Sequence, residues 1–326
     1  MPEPRLSVII ATYNRASLLP GCIGSLRAAG VPDLRIIVVD DGSQDDTGEV
    51  VRSLGDDIEY IRQANGGDCA ARNTGIQAAT TPYVAYLDSD DFWLPGVATT
   101  LLDMLDRHPR IGAIFTDAQV GNPAEGYHSW KASAGTDAFD RIPYEEVEPR
   151  LRLLDSDALF RLMIRRNAVF TGAIVQRRQL LLDAGLFDGT LRGTGDWELW
   201  LRLIPLMPFA WWPDPLAIYT RHDDNLTNNQ DRMQLAFCQA LIHYRAKNGD
   251  WYRRYRAEVD EALRNHLFFY GWSAYERREY DVARDRFKEG LRHMPDDRRL
   301  RRYWTATSLP APVLNAARRV KGLLAS

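Results

Sequence analysis

Strand-length apolar runs recur through the first third of the chain, at residues 6–11, 34–39, 58–61, 83–87 and 111–116, with helix-length amphipathic stretches at 17–29, 45–54, 69–79 and 95–107 between them. A short β-rich run, a helix, then another run is the rhythm of βαβ units, so it predicts a mostly parallel, doubly wound sheet. Ser43 and Asp45 stand where helix N-caps belong, and Pro95 where a first-turn proline fits. The 326 residues, 45% hydrophobic and 26% charged, suffice for a large core and exclude a disordered or collagenous chain. Lys plus Arg number 41 against 44 Asp plus Glu, a net charge of −3 that argues against nucleic acid as a partner. Cys22, Cys69 and Cys238 lie far apart without CxxC spacing, so neither a disulfide framework nor a zinc site is expected, and a reducing cytoplasm suits them. No uncharged run reaches the ~18 residues needed to span a bilayer, so any membrane contact is expected to be peripheral.

Periodicity fades over 119–155, which reads as a functional loop region whose 121–155 portion contributes to acceptor recognition. Pattern returns as a helix at 156–165, a strand at 168–176, and helices at 178–184 and 196–203, the last ended by Pro205. Beyond Gln230 apolar positions recur at helical spacing (Leu235, Cys238, Leu241, Ile242; Val259, Leu263, Leu267), which divides the chain into an α/β domain, 1–228, and an all-helical region, 229–326. Gly271, Trp272, Tyr275, Tyr280, Ala283, Phe287, Leu291 and Pro295 resemble one tetratricopeptide repeat, expected as a packed helical hairpin. Residues 253–326 hold 17 Lys/Arg and 10 Asp/Glu, a charge of +7 against −10 for the rest. The stretch 313–324 reads either as a basic amphipathic helix on an anionic membrane or as a solvated helix end packed on its own domain.

Two acidic clusters end strands at the edge where open α/β sheets bind ligands. In Asp40-Asp41-Gly42-Ser43 a carboxylate can accept from a ribose hydroxyl or a base N–H, or can simply build a capping turn. Asp88-Ser89-Asp90-Asp91 sets three carboxylates within four positions, whose mutual repulsion an oxygen-seeking cation, Mg²⁺ or Mn²⁺ with a diphosphate, would resolve. The first strand runs into Thr12-Tyr13-Asn14-Arg15 rather than GxGxxG, and GxxxxGK[ST] is absent, which removes dinucleotide oxidoreductases and P-loop NTPases.

Together these motifs resemble the family 2 glycosyltransferases of bacterial type, with the GT-A fold, through most of the first ~220 residues. The strand running into Thr12-Tyr13-Asn14-Arg15, the Asp40–Ser43 turn, Asn65-Gly66-Gly67 with Ala71-Arg72-Asn73-Thr74-Gly75, the acidic Asp88–Asp91 region, and Gly185-Leu186-Phe187-Asp188 followed by Gly195-Asp196-Trp197-Glu198-Leu199-Trp200-Leu201-Arg202 carry it in order. The resemblance implies a nucleotide-sugar site of Thr12, Tyr13, Asn14, Arg15, Asp41, Arg72, Asp88, Ser89 and Asp90, with Tyr13 packing on the base. It also implies a Mn²⁺ or Mg²⁺ site at Asp90 and Asp91, and a general base at Asp196. Arg72 either faces the diphosphate or ties the acidic loops together. The residue before the base is usually Glu; here it is Gly195, which leaves a supporting carboxylate in doubt. Trp197 and Trp200 stand as core or as an acceptor platform, Asp196 alternatively as a helix cap. His222 is read as a metal or diphosphate ligand or as a structural hydrogen-bonding residue, and Asp223 and Asp224 as solvated loop acids.

The expected activity is an inverting, metal-dependent hexosyl transfer from a nucleotide-diphosphate donor, UDP-linked, to a hydroxyl of a glycan or lipid-linked acceptor in surface or exopolysaccharide synthesis. It is placed in the cytoplasm or peripherally at the inner face of the membrane. The rivals are a non-catalytic glycan- or nucleotide-sugar-binding scaffold and a sugar nucleotidyltransferase, which would need a Gly- and Arg/Lys-rich loop where Ala11-Thr12-Tyr13-Asn14 stands.

Overall fold

A computed structural model describes residues 3–133, 139–223, 225–247 and 249–315. The chain divides into two compact units, Met1–Asn225 and Leu226–Ser326.

In the first unit the order is β1 (Leu6–Thr12), α1 (Leu19–Ala28), β2 (Arg35–Asp40), α2 (Thr47–Ser53), β3 (Ile58–Arg62), α3 (Asp68–Ala78), β4 (Tyr83–Tyr86), β5 (Phe92–Trp93) and α4 (Val97–Arg107). There follow β6 (Ala113–Asn122), β7 (Gly126–Ser129), α5 (Trp130–Ser133), β8 (Tyr144–Glu148), β9 (Leu151–Leu154), α6 (Ser156–Met163), β10 (Ile174–Arg177), α7 (Arg178–Asp183), α8 (Gly195–Leu203) and β11 (Phe209–Thr220). The strands form one sheet in the order β3-β2-β1-β4-β10-β6-β11-β9-β8, with β5 beside β11 and β7 beside β6. β3, β2, β1 and β4 are parallel, as the βαβ rhythm requires. β10 enters antiparallel between β4 and β6, and β6 and β11 resume parallel pairing.

Both faces of the parallel half are covered. Val8 and Ile10 point into a core shared with Leu19, Cys22, Ile23 and Leu26 of α1 and Leu101, Leu102 and Leu105 of α4. Ile9 points the other way, under α3, where a Cβ at Gly75 would stand 2.4 Å from Ile9 Cγ2. Gly75 thus lets α3 lie directly on β1 and fixes where the helix N-terminus meets the sheet edge.

Two expectations are corrected. The stretch 119–155 is not an irregular loop: β6 runs on to Asn122 and pairs with β7, and β8 and β9 form a hairpin that extends the sheet past β11. β7 and β8 are polar because they lie at the margin, where charged side chains also discourage pairing with other chains, whereas the short β9 between β8 and β11 buries Leu151, Leu153 and Leu154. The strand expected over 168–176 is confined to Ile174–Arg177, preceded by a 3₁₀ turn at Thr171–Ala173. A Cβ at Gly172 would press on the Phe170 ring at 2.8 Å, and the Gly172 carbonyl accepts from Trp93 Nε1 at 3.0 Å, so the chain bends there.

The second unit is helical: α9 (Gln230–Lys247), α10 (Gly249–Arg254), α11 (Arg256–Glu276), α12 (Tyr280–His293) and α13 (Arg298–Ala306). α11 and α12 form a hairpin whose close approach depends on Gly271, since a Cβ there would meet the Phe287 ring at 2.4 Å. Phe268, Trp272, Tyr275, Phe287 and Tyr303 pack ring to ring with centroids 5.1–5.9 Å apart. Asp231 accepts from Ser273, Arg277 and Arg286, binding α9 to α11 and α12, and the Arg286 bond leads the causes that hold its carboxyl far below the usual range. Among the described residues no helix is long and apolar enough to cross a membrane. Most of the stretch 313–324 lies outside the described residues.

Candidate active site

The carboxyl ends of β1, β2 and β4 meet at one edge, where Thr12 pairs with Asp40 and the Asp41 N–H donates to the Thr12 carbonyl. Asp40, 1% exposed, builds the turn: its carboxylate accepts from the Ser43 N–H at 2.7 Å and the Tyr60 hydroxyl at 2.6 Å. Burial raises its pKa, but these bonds and Arg62 outweigh it and leave the carboxyl below its ordinary value, while burial and Asp40 push the Tyr60 phenol up to about 12. Asp41 accepts from Gln63 Nε2 and the Gly66 N–H at 2.8 Å and from the Gly67 N–H at 2.6 Å. It therefore shapes the 63–67 loop with both oxygens, and a base N–H would have to share them.

Beside this turn Tyr13 is exposed, its ring free to meet a flat ligand. The next residue, Asn14, takes a left-handed φ of +52°, held by Ser43 Oγ and by the Gln44 N–H on its own Oδ1. Thr12 Oγ1 is buried without a hydrogen-bond partner, and Arg15 is half-buried.

On α3, Arg72 donates through Nη1 to Asp68 and through Nη2 to Asp88, each at 2.8 Å, so it ties the helix to the acidic cluster. Burial opposes its charge, yet Asp88 and Asp68 raise its pKa above the usual arginine value. Ser89 is buried, and His222 Nε2 stands 3.0 Å from Asp90 Oδ2 and 3.1 Å from Asn225 Nδ2. Asp223 is exposed, and Asp224 lies outside the described residues.

Asp91 is 1% exposed, its Oδ1 accepting from the Thr220 N–H at 2.9 Å while Oδ2 is buried with no partner. Burial first, then Asp88 and Asp90, push its pKa well above the ordinary range. Among the described residues no three metal-ligating side chains already converge as a cage. An orphaned carboxylate oxygen among like charges nevertheless fits a cation that keeps part of its shell for phosphate oxygens, as Mg²⁺ commonly does.

Asp196 sits in the first turn of α8, half-buried. Its Oδ2 accepts from Thr171 Oγ1 at 2.7 Å and Asn167 Nδ2 at 3.0 Å, and its Oδ1 from the Trp197 N–H at 2.7 Å. Burial raises its pKa despite opposing contributions from Thr171, Arg72, the Trp197 N–H and Asn167. Thr171 and Asn167 were not singled out in the sequence: Thr171 lies on the bent segment where a plain strand was expected, and Asn167 just before that strand. Gly195 has a steric cause: a Cβ would stand 2.1 Å from Cys69 Sγ, so the buried thiol occupies the space where a side chain would begin.

Trp197 and Trp200 are both fully buried, which excludes the platform reading. Glu198, also fully buried, pairs with Arg202 at 2.8 Å, and Arg202 donates on to the carbonyls of Ala184 and Leu186. Asn73 exchanges two 2.9 Å bonds with the Phe187 backbone, so α3, the 185–188 turn and α8 are locked together behind the site.

With this geometry in view, comparison with known proteins gives a consistent answer. The model of glycosyl transferase family 2 matches residues 7–169. A Campylobacter jejuni protein named GalNAc(5)-diNAcBac-PP-undecaprenol beta-1,3-glucosyltransferase is 41% identical over 104 residues, 30% of this chain and 34% of that protein. The chain thus spans about a third of the length of this and of another curated relative. Among solved structures, Staphylococcus aureus TarS 1–349 in complex with UDP-GlcNAc superposes with a TM-score of 0.60 at 18% identity, covering 87% of this chain and 81% of that one. A mannosyltransferase from Pyrobaculum calidifontis in complex with GDP-Man and Mn²⁺ superposes with a TM-score of 0.58 at 17% identity, covering 98% and 88%. Those superpositions give the GT-A-like fold, and the family match extends over half of the sequence: the chain belongs to glycosyl transferase family 2.

Proposed function

We propose that this protein transfers a hexose from a nucleotide-diphosphate donor, UDP-linked, to a hydroxyl of a glycan or lipid-linked acceptor, with inversion, in surface polysaccharide synthesis. Its place is the cytoplasm, peripherally at the inner face of the membrane. The observation that carries the reading is Asp196, a half-buried carboxylate of raised pKa held in one orientation by three donors, within the electrostatic reach of the arginine that binds Asp88. UDP-GlcNAc and GDP-Man in the two similar structures support the donor class, and the undecaprenol in the name of the Campylobacter relative supports a lipid-linked acceptor.

In this reading Tyr13 stacks on the base, Asp41 accepts from its N–H edge, and Thr12, Asn14 and Arg15 complete the nucleoside wall. Asp88, Ser89 and Asp90 face the ribose and diphosphate, and Arg72 holds Asp88 in place. Asp90, Asp91 and His222 would hold a Mn²⁺ or Mg²⁺ ion, which when bound neutralises charge on the departing diphosphate. Asp196 accepts the acceptor's proton through Oδ1, which has one donor against two on Oδ2. As the acceptor oxygen bonds to the anomeric carbon from the side opposite the leaving group, the carbon–oxygen bond to the nucleoside diphosphate breaks, and the configuration inverts.

A thermal-shift panel of UDP, GDP, CDP and dTDP, each with and without Mn²⁺, tests the donor site, since a ligand that binds only the folded state raises the melting temperature. The expected result is a Mn²⁺-dependent rise with UDP. Asp196→Asn should retain that rise and lose transfer by at least a hundredfold; loss of both would instead make Asp196 a structural cap.

A further inference from the structure

After Asp297 the sequence contains seven Lys or Arg residues and no Asp or Glu. Four of the seven, Arg298, Arg299, Arg301 and Arg302, lie on α13, and all four are exposed. Among the described residues none of the four is paired with a carboxylate. Leu300 is fully buried and Thr307 nearly so, with Tyr303 in the aromatic cluster, so the helix turns that stripe inward. Helical geometry then places Arg298, Arg301 and Arg302 together on the outer ridge. Arg299 lies to one flank, its guanidinium 3.3 Å from the Phe268 ring centroid.

Large apolar side chains accompany this charge. Phe269 beside Arg299 is 48% exposed, Trp304 37%, and Leu309 and Val313 on the segment after α13 are 51% and 50% exposed. An arginine ridge with exposed Trp304 on the same helix and exposed Leu309 and Val313 on the segment that follows it matches an anionic bilayer surface, where guanidinium groups meet lipid phosphates and indole and aliphatic groups enter the headgroup boundary. A nucleic-acid backbone would use the charge and leave Leu309 and Val313 in water.

We propose that α13 and the 307–314 segment form a docking surface for anionic phospholipid bilayers. This deepens the peripheral placement given under Proposed function, and rests on it, by naming the face and the lipid chemistry.

The test is co-sedimentation of the full chain with phosphatidylglycerol-containing vesicles, with phosphatidylcholine vesicles, and with heparin beads as a polyanion without a bilayer. Binding to the anionic vesicles is expected, weakening as salt rises. The variant Arg298→Gln/Arg301→Gln/Arg302→Gln should lose on the order of a hundredfold in partitioning, since each arginine near the surface contributes roughly a fivefold factor. Arg298→Lys/Arg301→Lys/Arg302→Lys should retain it, and Trp304→Ala/Leu309→Ser should weaken vesicle binding without changing heparin retention. Undiminished vesicle binding by the Gln variant, or heparin retention with no vesicle binding, overturns the proposal. Melting temperature and nucleotide shift are read on the same samples: a normal shift without vesicle binding sinks the docking surface alone, and vesicle binding without a shift sinks the donor reading alone.

Discussion

Individual atoms decide how this site is built, and Gly195 is the clearest case. With the Cys69 sulfur 2.1 Å from where its Cβ would be, Gly195→Ala should cost about 1–3 kcal/mol by overpacking. In Cys69→Ala/Gly195→Ala, which removes the sulfur and keeps a Cβ 3.7 Å away, most of that loss should return, and a double-mutant cycle by chemical denaturation measures the coupling. Substitution at 195 alone therefore should not restore a supporting carboxylate. Asp196 makes a second prediction. Because burial holds its pKa above the ordinary carboxylate value, activity should fall with acid beginning at a higher pH than for a solvated aspartate. Thr171→Val removes a donor that stabilises the charged form, so the acid limb should move up by about one unit in a pH–rate profile. Asp196 was legible from its place in an ordered motif, and the i,i+4 spacing of Asp68 and Arg72 fits their ion pair. Thr171 and Asn167 were not, since their approach to Asp196 spans 25 and 29 residues and depends on a bend that periodicity does not encode.

At the scale of elements, the parallel half of the sheet was readable because strands covered on both faces become continuous apolar runs. β8 was hidden for the opposite reason. Its Tyr144-Glu-Glu-Val-Glu148 sequence borders the sheet, so only register with β9 reveals a strand. α8 was anticipated within one residue, but the cement behind it was not. The buried Glu198–Arg202 pair fastens the helix to the chain after α7 through two carbonyl bonds. Glu198→Ala leaves a buried guanidinium without its carboxylate and should cost about 3 kcal/mol, the lower end of the usual range because the carbonyl acceptors remain. Urea titration of the variant checks this, and a loss under about 1 kcal/mol would mean that Arg202 finds water.

Over the whole molecule, opposite charge is concentrated at opposite ends of the sequence, and the two compact units carry different sensitivities. In the helical unit burial holds the His266 pKa down to about 4, against about 6.5 for a solvated histidine. The unfolded chain therefore binds a proton that the folded one refuses. Stability of this unit should fall as pH drops from about 6.5 towards about 4, and this histidine adds no further loss below that window. His266→Phe, which keeps an aromatic ring beside Phe237, should flatten that slope in melting curves recorded across the interval.

One strand joins the frame to the chemistry of the first unit. β11 follows β6 from Phe209, slips register between Trp212 and Ala217 around Pro213 and Pro215, resumes pairing, and ends at Thr220 against Asp91. Because side chains and amides alternate along a strand, loss or gain of one residue within that slip would reverse the facing of everything after it. The Thr220 N–H would then turn away from the acidic loop while the packed core before the slip stayed intact. Across descendants of this sequence, chain length should consequently drift at the 123–125 hairpin tip and stay constant between Trp212 and Ala217.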